Sequence, residues 1–411
     1  MAKSSDVAAE PRSIFATQPA REPALDSATK NVQFASRPDH PIEKRNSKSA
    51  MINNKYIPEL DGVRAIAVLL VIVFHSAPTF LPGGFVGVDI FFVLSGFLIT
   101  KNLLSEFAAR DEINFIDFYF NRALRLAPAF YLMITVYVLV ASFRDDFHDH
   151  LIAAGLASFY LISWSRAFLY GHEGYLGHIW SLAIEYQFYL LWPLALGVLL
   201  PRFDRKQCLY WILGAIVIVM SWRFFLAFMA SPIFIKYMDI FSVVRLYNGF
   251  DTRADTILVG CALAFTADRF VKINAFVFCL ITALILIFAF FVRFDQAWLY
   301  FGGMTLIALV SAVFIASILR TDRDRFSRRI LRAKPVAYVG KVSYGMYLWH
   351  FPLLGFFTSK LSMAPCILST LAMSLALASV SFWTVESWFL KHRAGWKSRR
   401  VFAPAPAPQL D

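Results

Sequence analysis

The sequence predicts an all-α, polytopic helix bundle that crosses a bilayer with about ten helices, both termini on the cytoplasmic side, and three observations carry that expectation. Composition is the first: of 411 residues 58% are hydrophobic and only 17% charged, with a mean hydropathy of +0.57, outside the range of water-soluble chains. Patterning is the second. Apolar runs such as Ile212 to Met229 and Ile273 to Val292, 18 and 20 residues long, can each cross a hydrocarbon core of about 30 Å at about 1.5 Å per residue. The third is the sorting of Lys and Arg between alternate loops.

Eleven apolar segments are read along the chain: 63–81, 86–104, 126–143, 151–165, 180–200, 208–229, 254–268, 273–292, 299–319, 335–357 and 365–388. If 151–165 lies in the interface and the other ten cross, the inner loops and tail hold 21 Lys and Arg against seven outside. Letting 151–165 span would send the loop from Arg320 to Lys334, with its seven cations, outward. Segment 254–268 is short for a crossing and is expected to sit in a thin part of the bundle. Residues 1–54 mix Ser, Pro, Ala, Lys and Asp without an apolar run, which predicts a disordered cytoplasmic tail with no signal-peptide core. Residues 55–390 form the membrane domain, and 391–411 a basic and then Pro/Ala-rich cytoplasmic tail.

The net charge of +12 sits in loops rather than among aromatics on a soluble surface, so no nucleic-acid partner is expected. Membrane lipid is the expected surrounding. Cys208, Cys261, Cys279 and Cys366 are scattered in apolar stretches without a CxxC pair, and read as small core residues; no metal site is expected.

Ionisable groups at membrane depth are paired or functional by default. Arg64 and His75 lie eleven residues apart on the first helix, on one face and about 16 Å apart along the axis. Asp89, Glu185 and His350 fall at a depth similar to His75, about 9 Å from the outer end. Either carboxylate is therefore a candidate to hold His75 as a general base, with His75, Glu185 and Asp89 the catalytic candidates. Arg122 and Arg125 lie three apart where the third helix begins, a fork that suits phosphate oxygens but equally serves as flanking charge. Arg253 and Asp255 read as a charge pair at the outer mouth of a helix. Trp164, Tyr175, His178 and Trp180 are assigned to the edge of the long outer loop, where aromatics stack on sugars or form an interfacial belt.

Several motifs together resemble the acyltransferase family 3 membrane proteins, which include O-antigen and exopolysaccharide acetylases. They are Pro58-Glu59-Leu60-Asp61-Gly62-Val63-Arg64 followed by Phe74-His75; Gly87-Val88-Asp89 running to Leu98; Arg122-Ala123-Leu124-Arg125; Trp180 to Tyr189 with Glu185; Asp251 to Asp255; and Ser343-Tyr344-Gly345 running to His350-Phe351-Pro352. The resemblance covers about 56–390. It implies ten transmembrane helices in a bacterial inner membrane and a cytoplasmic acyl-CoA, with acetyl the expected acyl group, as co-substrate rather than a bound cofactor. The implied acceptor is a glycan or lipid-linked sugar of the envelope, such as lipopolysaccharide or exopolysaccharide. It also implies essential roles for Arg64, His75, Arg122 and Arg125. The acyl-CoA phosphates are expected at Arg122 and Arg125 with Arg64 assisting, and His75 is expected either to activate the sugar hydroxyl as a general base or to take the acyl group first as a nucleophile. Arg253, Asp255, Tyr344 and His350 are expected to bind acceptor or to close structural polar contacts. Many relatives carry a further soluble domain, and the short stretch after Trp388 leads to the expectation of a one-step acetylase. Two readings of other classes use the same buried groups: a proton-coupled transporter or glycan flippase with Arg64, His75 and Glu185 along its path, and a scaffold on anionic lipid.

Overall fold

The computed structural model describes residues 56–230, 238–269, 274–320 and 326–392; the tail expected at 1–54 and the one beyond His392 lie outside the described residues. Helices account for every regular element described, with no strand among them.

Helix α1 (Pro58–Ser76) starts with proline in its first turn and with Glu59 and Asp61 beside the N-terminal end of the dipole, where a fixed φ and negative charge both favour initiation. Helix α2 (Val86–Arg110) stops at Asp111, which turns into the left-handed region at φ 58°. Helix α3 (Phe115–Ala141) is capped by Asn114, whose side chain accepts from the Asp117 amide at 2.9 Å. Helices α4 (Phe147–Ser158) and α5 (Ile162–Ala167) follow, then a 3₁₀ turn (Gly174–Ile179) that runs into α6 (Trp180–Leu199). The second half comprises α7 (Arg205–Ala230), α8 (Ile240–Asn248), α9 (Phe250–Thr266), α10 (Ala275–Phe291) and α11 (Gly303–Arg320). The short α12 (Phe326–Leu331) and α13 (Lys334–Lys341) lead into α14 (Ser343–Phe357) and α15 (Met363–Ser381), which passes through a π-turn at Phe382–Glu386.

Among the described residues, six helical stretches have the length and composition to cross a membrane: 86–110, 115–141, 174–199, 205–230, 303–320 and 363–392. Those that fall short are instructive. Helix α1 has 19 residues but carries Glu59, Asp61 and Arg64 in its first two turns, α9 and α10 have 17 residues, and α14 has 15. The segment 151–165 is not one helix: α4 has 12 residues, about 18 Å, and the chain breaks at Tyr160, where φ is 55°. Leu151, Phe159 and Leu161 of this segment are exposed.

Helices α2 and α9 form the centre. They cross where Gly96 and Gly260 meet: a Cβ on Gly96 would collide with the Ile257 carbonyl, and one on Gly260 with the Val93 carbonyl, so only glycine lets the backbones approach this far. The short 254–268 segment, expected in a thin or partly hydrated part of the bundle, belongs to an α9 that begins at Phe250 and is wrapped by protein, with Thr252 to Cys261 all buried. Cys208, Cys261 and Cys366 are buried as expected, but Cys279 is exposed, because α10 lies at the periphery with Phe276 and Leu280 also outward.

Two buried ion pairs pin the central helices. Arg253 on α9 donates to Asp89 on α2 at 2.8 Å, and Arg223 on α7 forks onto both Asp255 oxygens at 2.8 and 3.0 Å. Thr305 on α11 donates to Asp255 at 2.6 Å. All four charged side chains are fully buried. Arg253 and Asp255 therefore do not pair with each other at a helix mouth. They are two residues apart on α9, so they face different neighbours and tie that helix to α2, α7 and α11.

Candidate active site

A cavity of about 730 Å³ opens among α1, α2, α3, α6, α13, α14 and the π-turn. Its wall is cationic: Arg64, Lys101, Arg122, Arg125 and Lys341 reach it, against Asp61, Glu185 and Glu386. The sequence-predicted arginine trio is thus brought together in one space, although Arg64 lies on α1 and the other two on α3. Each is held differently. Arg64 is bound by Asp61, which also accepts from the Tyr56 hydroxyl. The Arg122 guanidinium lies 4.2 Å above the Tyr189 ring, a cation–π contact. Arg125 is exposed into the cavity with no hydrogen-bond partner among the described residues. Tyr344 donates to the Leu126 carbonyl at 3.1 Å, fixing the turn of α3 that carries Arg125.

Glu185 lines the same cavity. Its two oxygens accept from Ser95 at 2.9 Å and from Tyr189 at 2.8 Å, so it continues a chain from Arg122 through Tyr189. Neither Glu185 nor Asp89 holds His75. Glu185 shares its α6 face with Tyr189, four residues on, and that face looks into the cavity, while Asp89 is consumed by Arg253. Similar depth in the bilayer places residues in one layer without making them neighbours.

The partner of His75 is His350. His75 Nδ1 and His350 Nε2 are 3.2 Å apart, and His350 Nδ1 is 2.6 Å from the Tyr347 carbonyl oxygen. A carbonyl only accepts, so His350 Nδ1 carries a proton and, in the neutral ring, its Nε2 is a lone pair. His75 Nδ1 must then donate, and the remaining His75 Nε2 is left as a lone pair. The hydrogen-bond order thus orients a base without any carboxylate. Phe351 stands edge-on to His75 with ring centroids 5.1 Å apart, and His75 itself is half-buried while His350 is fully buried.

Tyr347 joins the histidines to the cavity. Its ring lines the cavity, three residues before His350 on α14. Its hydroxyl lies 2.6 Å from Ser181 Oγ and donates to the His178 carbonyl at 2.9 Å. His178 is buried rather than at a loop edge: its Nε2 donates to the Leu348 carbonyl at 3.1 Å, and its Nδ1 has no partner among the described residues. Trp180 is likewise buried, its ring tilted against that of Tyr247 with centroids 4.7 Å apart. Residue type and depth alone did not identify Lys101, Ser181, Tyr347 or Glu386 as site residues. Arg223 was also missed, although a lone cation inside a 26-residue apolar helix was a readable signal.

A family model described as an acyltransferase domain, Acyl_transf_3, matches residues 57–386. The chain is 33% identical over 384 residues to the peptidoglycan O-acetyltransferase OatA of Listeria monocytogenes, covering 86% of this chain and 60% of that protein. It is 35% identical over 335 residues to the O-acetyltransferase OatA of Staphylococcus aureus, covering 75% and 52%. Identity to the putative peptidoglycan O-acetyltransferase YrhL of Bacillus subtilis is 35% over 323 residues, covering 74% and 49%. The chain therefore spans about half to three fifths of the length of these curated relatives. No solved structure matches it. With a match that runs from the start of α1 to the π-turn and takes in every helix of the cavity, the chain belongs to the Acyl_transf_3 family of acyltransferases.

Proposed function

We propose that this protein is a multi-pass O-acetyltransferase of a bacterial inner membrane that moves an acetyl group from cytoplasmic acetyl-CoA to a sugar hydroxyl of a cell-envelope glycan. The observation that carries this reading is a cation-lined cavity whose wall includes Tyr347, three residues before the His350 that contacts His75. Ten crossings are assigned: α1, α2, α3, α6, α7, α9, α10, α11, α14 and α15. Both termini are inside, on the threefold excess of Lys and Arg at one end. The Arg64 end of the cavity then faces the cytoplasm, where acyl-CoA is made, and His75 lies toward the other face.

In this reading the phosphates of the donor occupy the arginine end while the thioester reaches past Glu185 toward Tyr347. His75 Nε2 takes the proton of the acceptor hydroxyl as the oxygen attacks the thioester carbonyl, and the tetrahedral oxyanion collapses with loss of the coenzyme A thiolate, which regains the proton. His350 acts through His75: it accepts the Nδ1 proton and fixes which nitrogen is basic. The Tyr347 and Ser181 hydroxyls line the cavity and are committed to each other and to the His178 carbonyl. The printed names of the Listeria and Bacillus relatives favour peptidoglycan as the first acceptor to try, ahead of lipopolysaccharide or exopolysaccharide.

The test is incubation of purified full-length protein with labelled acetyl-CoA and, separately, peptidoglycan fragments, lipid-linked precursors and exopolysaccharide, followed by mass spectrometry of the glycans. An ester on one of them, absent with His75→Ala, supports the assignment; labelled acetyl-CoA left intact in the presence of every acceptor contradicts it.

A further inference from the structure

A cation buried in a membrane bundle is stable when it is paired, and a costly one that is unpaired marks a place where a partner binds. Lys101 is such a cation. It lies on α2 nine residues before the helix ends at Arg110, about 14 Å along the axis, so it is no flanking charge. Its side chain is 7% exposed and what it exposes faces the cavity. Among the described residues its ammonium group makes no hydrogen bond and no ion pair. The contrast with the other buried cations is direct, since Arg223 and Arg253 each have a carboxylate within 2.8 Å. Within the cavity, Arg64 is neutralised by Asp61, Arg122 rests on Tyr189, Lys341 lies over the Phe382 and Trp383 rings, and Arg125 acts on the Glu386 carboxyl, which leaves Lys101 as the cavity cation with no partner among the described residues.

We infer that Lys101 is a binding residue for a phosphate of the acyl donor, on a cavity wall that also carries Arg125. This rests on the donor reading above and narrows it to a phosphorylated thioester carrier. An unpaired ammonium on α2, in a cavity whose cations outnumber its carboxylates, matches a phosphate group, which offers negative charge and oxygens in several directions to a point charge. The same chemistry is offered by an anionic lipid headgroup, which the experiment separates.

The experiment uses the full-length protein in nanodiscs of zwitterionic lipid, with thermal melting followed against added coenzyme A and against inorganic pyrophosphate, for wild type, Lys101→Met and Lys101→Arg. A second set of nanodiscs contains phosphatidylglycerol. The expected result is that Lys101→Met melts no lower than wild type without ligand, because a lone buried charge has been removed. The midpoints for coenzyme A and pyrophosphate should rise about 10- to 100-fold, and Lys101→Arg should recover most of the loss. A lower melting temperature with unchanged midpoints would overturn the inference and assign the ammonium to packing. Stabilisation of wild type, but not Lys101→Met, by phosphatidylglycerol with no response to coenzyme A or pyrophosphate would overturn it in favour of a lipid headgroup. If pyrophosphate binds through Lys101 while acetyl-CoA is never consumed, the phosphate site stands and the donor reading falls. If acetyl-CoA is consumed with an unchanged KM in Lys101→Met, the donor reading stands and the site falls.

Discussion

Two regions of this bundle bury charge, and they do so in opposite ways. Around α9, Arg223 with Asp255 and Arg253 with Asp89 are closed pairs, fully buried and with hydrogen bonds at 2.7 to 3.0 Å to their partners and to the Thr252 carbonyl. In the cavity, cations outnumber carboxylates, and Lys101 has no hydrogen-bond or ion-pair partner among the described residues. The same residue types at the same kind of depth are thus closed into pairs in one place and open to a cavity in the other. Pairing, rather than burial or residue identity, separates the two.

The contrast breaks most sharply at the histidines. His75→Ala removes the base and should lower kcat by about 10²- to 10⁴-fold, roughly 3 to 5.5 kcal/mol at 1.4 kcal/mol per decade, with melting temperature unchanged; stopped assays on matched, folded protein measure it. Loss of folding in that variant would place His75 with the structural pairs instead. On the α9 side, Asp255→Asn leaves Arg223 buried and uncompensated, which should cost about 3 to 5 kcal/mol of stability, read as a fall in melting temperature and yield. An Arg223→Met, Asp255→Leu double variant should recover most of that loss, as paired removal of buried charges does; if it is no better than the single variant, the pair has a role beyond mutual neutralisation.

Arg125→Met should show the reverse signature, a KM for acetyl-CoA raised about 10- to 100-fold with no loss of melting temperature. The smallest effect belongs to a charge outside the membrane. Arg144 bonds both oxygens of Asp146 at 2.8 and 3.1 Å and holds its carboxyl down to about 2, below the ordinary 3.8. A depressed folded value gives a contribution that is present above about pH 4 and lost as pH falls toward about 2. Because the pair is exposed, Asp146→Asn should leave the melting temperature at pH 7 within error, and hydrogen exchange at the α3–α4 corner should change only at the acid end.

Much of this contrast was not legible from sequence, for identifiable reasons. Hydropathy located the long helices, and the RxxR spacing put Arg122 and Arg125 toward one cavity. Periodicity says which way a side chain leaves its own helix and nothing about which helix it meets. Asp89 therefore looked like a partner for His75, when the glycine contact of Gly96 with α9 turns it toward Arg253. His350 was placed at the right depth, but its contact with His75 spans 275 positions of sequence. Lys101 was counted among loop charges because the apolar run ends near residue 104, whereas α2 continues to Arg110.

The central claim is that His75, oriented by His350, is the group that activates the acceptor. The most direct measurement is the pH dependence of kcat/KM for acetyl transfer from labelled acetyl-CoA by wild type, His350→Gln and His350→Phe, each at matched melting temperature. The Gln variant keeps an acceptor for the His75 Nδ1 proton and Phe removes it, so the account predicts that Gln retains a basic limb while Phe loses rate at every pH. Equal rates and superimposable profiles for all three proteins would contradict it.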